Sequence, residues 1–369
     1  MNRLGKWNRM GLFFLALAVG VLPFAVPDVC AGALREGLAL CGGPLLLSLF
    51  PFLVVSRLLI ECPESDLFAL PFRFVACGIG IHAPCAARVL CIGFLGGFAP
   101  AASAAAQAVK NGQLTVEEAD ALLPACICSG PSFVVLTVGQ SLLGSTELGI
   151  LLFIAQIGAN YLTAALLNRF AGRHRITPRT REHEPPAPPR LDVVLADAAM
   201  TYCKLCGFIL FFRMLAAGAG ALLPAGAGTL CAILLEVCSG CDLASRTGRW
   251  GSLLCCAALS VQGLSVLLQV RTICPAEMTL RPLYRARVLH LPLSLALFYL
   301  LLPGGETDVF STLPERVLLM LRIPVDCALL VFAGCCMAAC VLRRAICQVE
   351  QKQGAINAGG CCINSKTLL

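Results

Sequence analysis

The chain has 369 residues, of which 58% are hydrophobic and only 13% are charged, and its mean hydropathy is +0.83. A soluble domain carries roughly 25% charged residues, so this composition excludes an ordinary water-soluble protein. Long apolar runs recur from end to end, each near the roughly 20 residues that a helix needs to cross a bilayer core. The sequence therefore predicts an all-α, polytopic protein that passes several times through a cell membrane.

The net charge of +7 and the 23 cysteines do not indicate a separate chemistry. The basic residues flank the apolar runs, as the positive-inside bias places them, and form no surface typical of nucleic-acid binding. The two CxxC pairs, Cys203/Cys206 and Cys238/Cys241, are about what chance gives at this cysteine density. We expect no metal site, no cofactor and no covalent chemistry; a soft-metal permease and an intramembrane enzyme with a Cys or His nucleophile stay as alternatives.

In chain order, the first apolar run predicts a retained span over residues 10–27. The stretch 67–81 is too short and too interrupted for a span and is a candidate re-entrant segment. The other predicted spans are 37–60, 85–109, 121–143, 147–168, 191–222, 224–245, 249–272, 283–303 and 324–342.

A basic, proline-rich stretch divides the chain into two halves. Residues 171–190 contain five prolines and five arginines, which predicts an exposed linker on the cytoplasmic side. The predicted organisation is an N-terminal span (1–30), a first half (31–170), this linker (171–190), a second half (191–303), and a last span with a disordered tail (304–369).

Residues 111–124, NGQLTVEEADALLP, carry a helix-start signal in the first half. Thr115 is the predicted N-cap, and Glu118 stands three residues later as its capping-box partner. The pattern predicts a short amphipathic helix at the membrane surface.

Each half also contains two apolar segments that Gly or Pro interrupts in mid-run. They are GFLGGFAPAASAAAQAV (93–109), CICSGPSFVVLTVGQ (126–140), LLEVCSGCDLAS (234–245) and SVQGLSVLLQV (260–270). Broken helices are tolerated in a membrane only where protein or a water-filled cavity surrounds them. Paired interruptions at corresponding positions predict an inverted repeat with a transport site at the repeat interface.

These segments, with EGLALCGGPLLLSLFPFLVVSRLLI (36–60) and RPLYRARVLH (281–290), resemble the sporulation integral membrane proteins of the YlbJ type. That family belongs to the nucleoside-recognition, or Gate, domain superfamily, and the resemblance covers about residues 30–303. It implies two Gate-like halves, kinship to nucleoside permeases and to ferrous-iron transporters, and movement of dipicolinate during endospore formation. The outer forespore membrane is one implied location, and other sporulation membrane proteins or a second copy are implied partners.

The first half departs from the family pattern. Gly96, Gly97, Phe98 and Ala99 stand where the family tends to have Ser-Gly-Tyr-Pro, so this half lacks the family's cation and several of its donors. The expected function is permease-like movement of a small anionic solute, coupled to H⁺ or Na⁺. A non-transporting structural or assembly protein of the spore membrane and a nucleoside permease stay as alternatives.

Glu236 is the most prominent candidate because an intramembrane carboxylate is costly. It is expected to take the coupling cation, or else to be a helix-end charge near the interface. On a helix, Gln262, Ser265 and Gln269 fall within about 60° of one another, so they form a polar stripe that faces either the solute or another helix. The full predicted substrate-binding set is Gly97, Ser129, Gly130, Pro131, Ser132, Glu236, Ser239, Gly240, Ser260, Gln262, Gly263, Ser265 and Gln269.

Other polar residues within apolar runs have two interpretations each. Arg57 and Arg213 either neutralise a dianionic solute or extend towards the interface. Gln156 and Asn160 line the cavity or bond across helices. Arg285 and Arg287, at the start of a span, are predicted to anchor the chain at the membrane surface.

Overall fold

The computed structural model describes residues 19–61, 69–171 and 190–302, together with positions 10, 13, 16 and 17. Throughout this part of the chain the regular secondary structure is helical, and no strand is present. The predicted span 324–342, the tail and nearly all of the linker 171–190 lie outside the described residues.

The first half begins with three separate helices, continues with two broken segments and ends with a long helix. The elements are α1 (Pro27–Gly42), α2 (Pro44–Glu61), α3 (Leu70–Gly78), α4 (Pro84–Gly96), α5 (Phe98–Lys110), α6 (Val116–Cys126), a π-helix (Ser132–Leu142) and α7 (Thr146–Phe170).

The second half begins with a long helix and then, like the first half, has two broken segments followed by a long helix. Its elements are α8 (Leu191–Leu222), α9 (Ala225–Leu235), α10 (Val237–Ser245), a 3₁₀ turn (Gly248–Trp250), α11 (Gly251–Val261), α12 (Gly263–Ile273) and α13 (Arg281–Leu301).

Three helical stretches are long and apolar enough to cross a membrane: Thr146–Phe170, Leu191–Leu222 and Gly248–Ile273. Shorter apolar helices accompany them at Leu49–Ile60, Pro84–Gly96, Ser132–Leu142 and Gly226–Leu235. The chain is therefore a helical membrane protein, as its composition predicts.

The four interrupted segments are each two helices, so the predicted interruptions are confirmed. The described residues of the predicted span 10–27 are helical up to Ala25, in agreement with its predicted end, whereas the separate helix α1, which begins at Pro27, was not predicted. Proline favours the first turn of a helix, since its missing N–H has no intrahelical acceptor there. The predicted span 37–60 is divided, between Gly42 and Pro44. At nine residues, or about 14 Å, α3 is too short to cross a bilayer.

The long helices α7 and α13 pack against each other at the centre of the fold. The broken segments surround this pair: α6 contacts both α7 and α13, and so does α11. After their breaks the segments cross between halves, since α5 packs on α12 and α10 packs on the π-helix. Helices α1, α2 and α8 form a further layer beside them.

The start of α6 has the capping box that the sequence predicts. The Thr115 hydroxyl accepts the Glu118 amide at 3.1 Å, and a Glu118 carboxylate oxygen accepts the Thr115 amide at 2.9 Å. The amphipathic character predicted for this helix is wrong, because all residues from Glu118 to Cys126 are buried and none of them forms an exposed face. Burial follows from the packing of α6 between α7 and α13.

Asp120, in the buried part of α6, has its polar partners in the second half of the chain. Its carboxylate accepts the Thr279 amide at 3.0 Å, the Thr279 hydroxyl at 2.6 Å and the Leu280 amide at 3.2 Å. These groups precede α13, where Leu280 adopts a left-handed φ of 55°. One buried carboxylate of the first half therefore fixes the start of the last helix of the second.

We predict that Asp120→Ala lowers the free energy of unfolding by about 2–3 kcal/mol, because three buried donors lose their acceptor. Unfolding in detergent micelles titrated with sodium dodecyl sulfate measures this change. Asp192→Ala is the matched control, since Asp192 pairs with Arg190 on the exposed surface and exposed pairs contribute little. Equal effects of the two substitutions would contradict the bridging role of Asp120.

Candidate functional site

The two broken segments of the first half cross at their breaks. Gly97, between α4 and α5, has a φ of +82°, and a Cβ there would lie 2.7 Å from the backbone nitrogen of Gly130. Gly130 belongs to the irregular stretch 127–130, which separates α6 from the π-helix. Glycine at position 97 is needed both for the backbone conformation and for this close approach.

The second half has the corresponding crossing. Gln262 and Gly263, between α11 and α12, have left-handed φ values of 61° and 69°. A Cβ on Gly263 would lie 2.9 Å from the backbone nitrogen of Glu236, which separates α9 from α10. The pairs Gly97/Gly130 and Glu236/Gly263 thus occupy equivalent places in the two halves.

Glu236 is the N-cap of α10 and is only 2% exposed. Its two carboxylate oxygens accept the backbone amides of Cys238 and Ser239 at 2.8 and 2.7 Å. The break lies at Glu236 and not at Gly240, where the glycine was expected to interrupt the segment. Gly240 lies within α10 and allows that helix to approach the backbone of Ile233 on α9.

The Ile127 carbonyl, freed by the break after α6, lies where the two halves meet. It accepts Arg287 Nη2 at 2.9 Å, Gln262 Nε2 at 3.4 Å and Asn160 Nδ2 at 3.5 Å. Arg287 Nη1 also donates to the Ser260 carbonyl at 3.4 Å, beside the other break. We refer to Asn160, Gln262 and Arg287 around this carbonyl as the central polar cluster. It provides donors for backbone groups that lipid could not satisfy.

The central polar cluster retains hydrogen-bonding capacity. Among the buried side-chain atoms of the described residues, Asn160 Oδ1, Gln262 Oε1 and Arg287 Nε have no hydrogen-bond partner. Gln269 Oε1, on α12, is likewise buried and unpartnered. Buried polar atoms are almost always paired, so a group of unpaired ones at one place indicates a ligand or water.

A second polar network links α7, α11 and α13. Gln156 Nε2 donates to the Ser260 hydroxyl at 2.9 Å and to the Cys256 carbonyl at 3.2 Å. The Ser260 hydroxyl also contacts that of Ser294, and His290 Nε2 lies 3.2 Å from the Gln156 carbonyl oxygen. Gln156 therefore bonds across helices, which is one of the two roles expected for it.

Helix starts converge on the two crossings. Helices α5, α10, α12 and the π-helix all begin there, and only α10 has a side-chain cap, which is Glu236. The start of a helix carries a partial positive charge on its free N–H groups. The buried guanidinium of Arg287 adds a positive charge to the region between the halves, and the buried Glu236 carboxylate adds a negative one.

The predicted site residues divide into three groups in the structure. Gly97, Gly130, Glu236, Gly263, Ser260 and Gln262 lie at the crossings or bond beside them. Ser129 is buried in the same break, whereas Pro131 and Ser132 are half-buried at the start of the π-helix. The remaining residues lie farther along their helices: Ser239, Gly240, Ser265 and Gln269.

The predicted stripe is only partly correct. Ser265 and Gln269 share a face of α12, where Gln269 Nε2 donates to the Ser265 hydroxyl at 2.9 Å. Gln262 does not continue that face, because its left-handed backbone ends the helical geometry on which the stripe was based. Its side chain is directed instead towards Ile127 of the other half.

Arg287 was predicted to be a membrane-surface anchor, and this prediction is wrong. Its side chain is buried in the central polar cluster, whereas Arg285, two residues earlier, is exposed. Two positions on a helix are about 200° apart, so one of the pair had to face inwards once α13 was packed. That spacing was the available sequence signal.

Arg57 and Arg213 each have a carboxylate partner. Arg57 donates to Asp197 at 2.9 Å and to Gln107 at 2.6 Å, and Arg213 pairs with Glu36 at 2.7 Å. Among the described residues, no group of three or more His, Cys, Asp or Glu side chains is arranged to hold a metal ion.

No protein-family model matches the chain, and neither a curated protein nor a solved structure matches it significantly. The fold itself defines the class of the protein, which is a helical membrane protein with four broken helical segments.

We predict that Gly263→Ala destabilises the protein more than Gly144→Ala. Both positions have a left-handed φ, so alanine costs about 1–2 kcal/mol at either. A Cβ at Gly144 meets nothing within 4 Å, whereas one at Gly263 contacts the Glu236 backbone. We expect about 1–3 kcal/mol of additional destabilisation at Gly263. Unfolding in mixed micelles measures both variants, and similar values would argue against tight contact between the breaks.

Proposed function

We propose that this protein is a permease for a small anionic solute, which binds at the central polar cluster between two inverted halves. The observation that carries the proposal is the buried Arg287, whose guanidinium bonds the Ile127 and Ser260 carbonyls beside two of the helix breaks, together with the buried polar atoms there that lack partners. Transporters with broken helices bind anionic groups at half-helix starts near the bilayer midplane.

The contacts at the helix ends support an inverted arrangement. Cys85, at the start of α4, contacts the Gln113 carbonyl beyond α5, so the two ends of this pair lie together and Gly97 forms the apex. In the second half, α9 and α10 pack against each other on either side of Glu236, and Gly228 of α9 lies near Gly220 at the end of α8. Arg57 joins Gln107, near the end of α5, to Asp197, near the start of α8, whereas α9 lies beside the end of α8. The two pairs therefore lie at opposite ends of α8.

The charge balance favours an anion over a neutral solute. Among the described residues, Arg287 has no carboxylate within ion-pairing distance, and its partners are backbone carbonyls. A buried, unpaired charge is costly, so an anionic solute that reaches Arg287 Nε would be stabilised there. Dipicolinate is the favoured solute because the family resemblance implies it, and a guanidinium suits a carboxylate.

Glu236 is the proposed site of the coupling H⁺ or Na⁺. Both of its oxygens accept backbone amides of α10, so a proton would replace one acceptor by a donor and loosen that cap. Because Gly263 packs on the Glu236 backbone, a change at α10 would reach α12 directly.

A non-transporting structural protein is the second candidate. It is favoured by the crossing of Gly97 and Gly130, where the first half offers backbone glycine and no charged side chain. On this hypothesis Asn160, Gln262 and Arg287 only hold the halves together.

Uptake of labelled dipicolinate into proteoliposomes, under an imposed proton or sodium gradient, tests the proposal. We predict that Arg287→Gln lowers the initial rate about tenfold or more, since a hydrogen bond to a charged group contributes about 1.5–3 kcal/mol. Arg285→Gln is the matched control because it removes the same charge from the exposed face of the same helix. Glu236→Gln is expected to remove the dependence on the gradient.

Gln269→Ala provides a second variant in case Arg287→Gln does not fold, and it is also expected to reduce uptake. Elution from a sizing column and the unfolding midpoint identify folded protein. A folded wild-type protein that takes up neither dipicolinate nor any member of a nucleoside panel would refute the permease and favour the structural role. Uptake of nucleosides alone would favour a nucleoside permease.

A further inference from the structure

A cavity of about 240 Å³ lies between α2, α5, α8 and α12, at a distance from the central polar cluster. Its polar lining residues are Arg57, Ser103, Gln107, Lys110, Asp197, Thr201, Lys204 and Thr272. Sites for drug-sized ligands begin at about 300 Å³, so this cavity suits a smaller solute. Residues of both halves contribute to it, because α2 and α5 belong to the first and α8 and α12 to the second.

The lysines of the chain are distributed unusually. The part of the chain that the structure describes contains only two lysines, Lys110 and Lys204, and both line this cavity. They are 94 positions apart in sequence and belong to different halves. Neither has a carboxylate partner among the described residues, whereas Arg57 is paired with Asp197. The four charged side chains of the cavity therefore sum to +2, and the two free ammonium groups carry that excess.

The position of the cavity relates it to the central polar cluster. Lys110 ends α5 and Thr272 is in the last turn of α12, whereas both helices begin at the crossings. At 1.5 Å per residue, the cavity lies roughly 14–20 Å from the crossings, about half the thickness of a bilayer core. It therefore lies near one membrane surface. The adjacent helix α8 follows the basic linker, so this is the surface predicted to face the cytoplasm.

Polar groups on α12 lie between the cavity and the central polar cluster. Ser265 and Gln269 are buried on this helix between Gln262 and the cavity, and Gln269 Oε1 has no partner. The Thr272 hydroxyl, at the cavity, donates to the Gln269 carbonyl at 2.8 Å. A solute that leaves the cavity would meet Gln269 before it reached Arg287.

We propose that this cavity is a peripheral binding site for a small dianion on the predicted cytoplasmic side. Lys110 and Lys204 bind the dianion there before it moves to the central polar cluster. Lysine suits a transient site because its flexible, hydrated ammonium group makes no rigid bidentate contact. This inference rests on the proposed function and adds the entrance side and the charge of the solute.

Equilibrium binding of labelled dipicolinate to the full chain tests the inference, in nanodiscs of phosphatidylcholine. We expect Lys110→Gln and Lys204→Gln each to raise Kd about fivefold, as the loss of one unit charge near 4 Å in a hydrated site predicts. The double variant is expected to raise Kd about 25-fold. Lys204→Arg keeps the charge and is expected to change Kd less than twofold.

Arg281→Gln is the matched control, because it removes one charge from an exposed residue at the start of α13, outside the cavity. It is expected to leave Kd within twofold of the wild type. An unchanged Kd in the double lysine variant would overturn the inference. If Arg287→Gln abolished binding in that case, the proposed central site would still stand without the cavity. Weaker binding by the lysine variants, in a protein that shows no uptake, would support the cavity and refute transport.

The headgroup of an anionic lipid has related chemistry, and a second measurement separates it from a soluble dianion. Binding is repeated in nanodiscs that contain phosphatidylglycerol. A soluble dianion as occupant predicts that the wild-type Kd rises less than twofold. Loss of dipicolinate binding together with phosphatidylglycerol enrichment that requires both lysines would identify lipid as the occupant and overturn the inference.

Discussion

The fold depends on satisfying the backbone groups that four helix breaks release inside an apolar protein. A free carbonyl or amide in such surroundings costs several kcal/mol, so each break needs a donor or acceptor supplied by another element. The Ile127 carbonyl is the clearest case, because Arg287 on α13, Asn160 on α7 and Gln262 at the break between α11 and α12 all donate to it. The same requirement explains the capping of α10 by Glu236 and of the start of α13 by Asp120.

Local sequence patterns predicted the elements but not the contacts between them. Composition and apolar runs gave a helical membrane protein, and Gly and Pro in mid-run marked the four interrupted segments because these residues disfavour a continuous helix. In one segment the break falls at Glu236 and not at the glycine. The capping box at Thr115 was also predictable, since its partners are three residues apart. The burial of α6 was not predictable, because it depends on contacts with α7 and α13, which are distant in sequence.

The candidate site was predicted less completely for the same reason. Glu236, Gln262 and Gln269 were found because a polar residue in an apolar run is conspicuous. Arg287 was placed at the membrane surface, since it stands with Arg285 at the start of an apolar span. The left-handed backbone of Gln262 could not be anticipated either, because non-glycine residues rarely adopt it. The cavity with Lys110 and Lys204 could not be predicted from the sequence, because it forms only where helices of the two halves pack together.

The contact between Ile127 and Arg287 also affects how the protein is made. The two residues are 160 positions apart, and α13 is the last helix that the structure describes. At 5–20 residues per second, a ribosome needs roughly 8–32 s to synthesise the intervening chain. Until the second half has been made, the Ile127 carbonyl can accept a hydrogen bond from Asn160 of the first half but not from Gln262 or Arg287. Insertion of this protein therefore passes through an intermediate in which this break lacks two of its three donors.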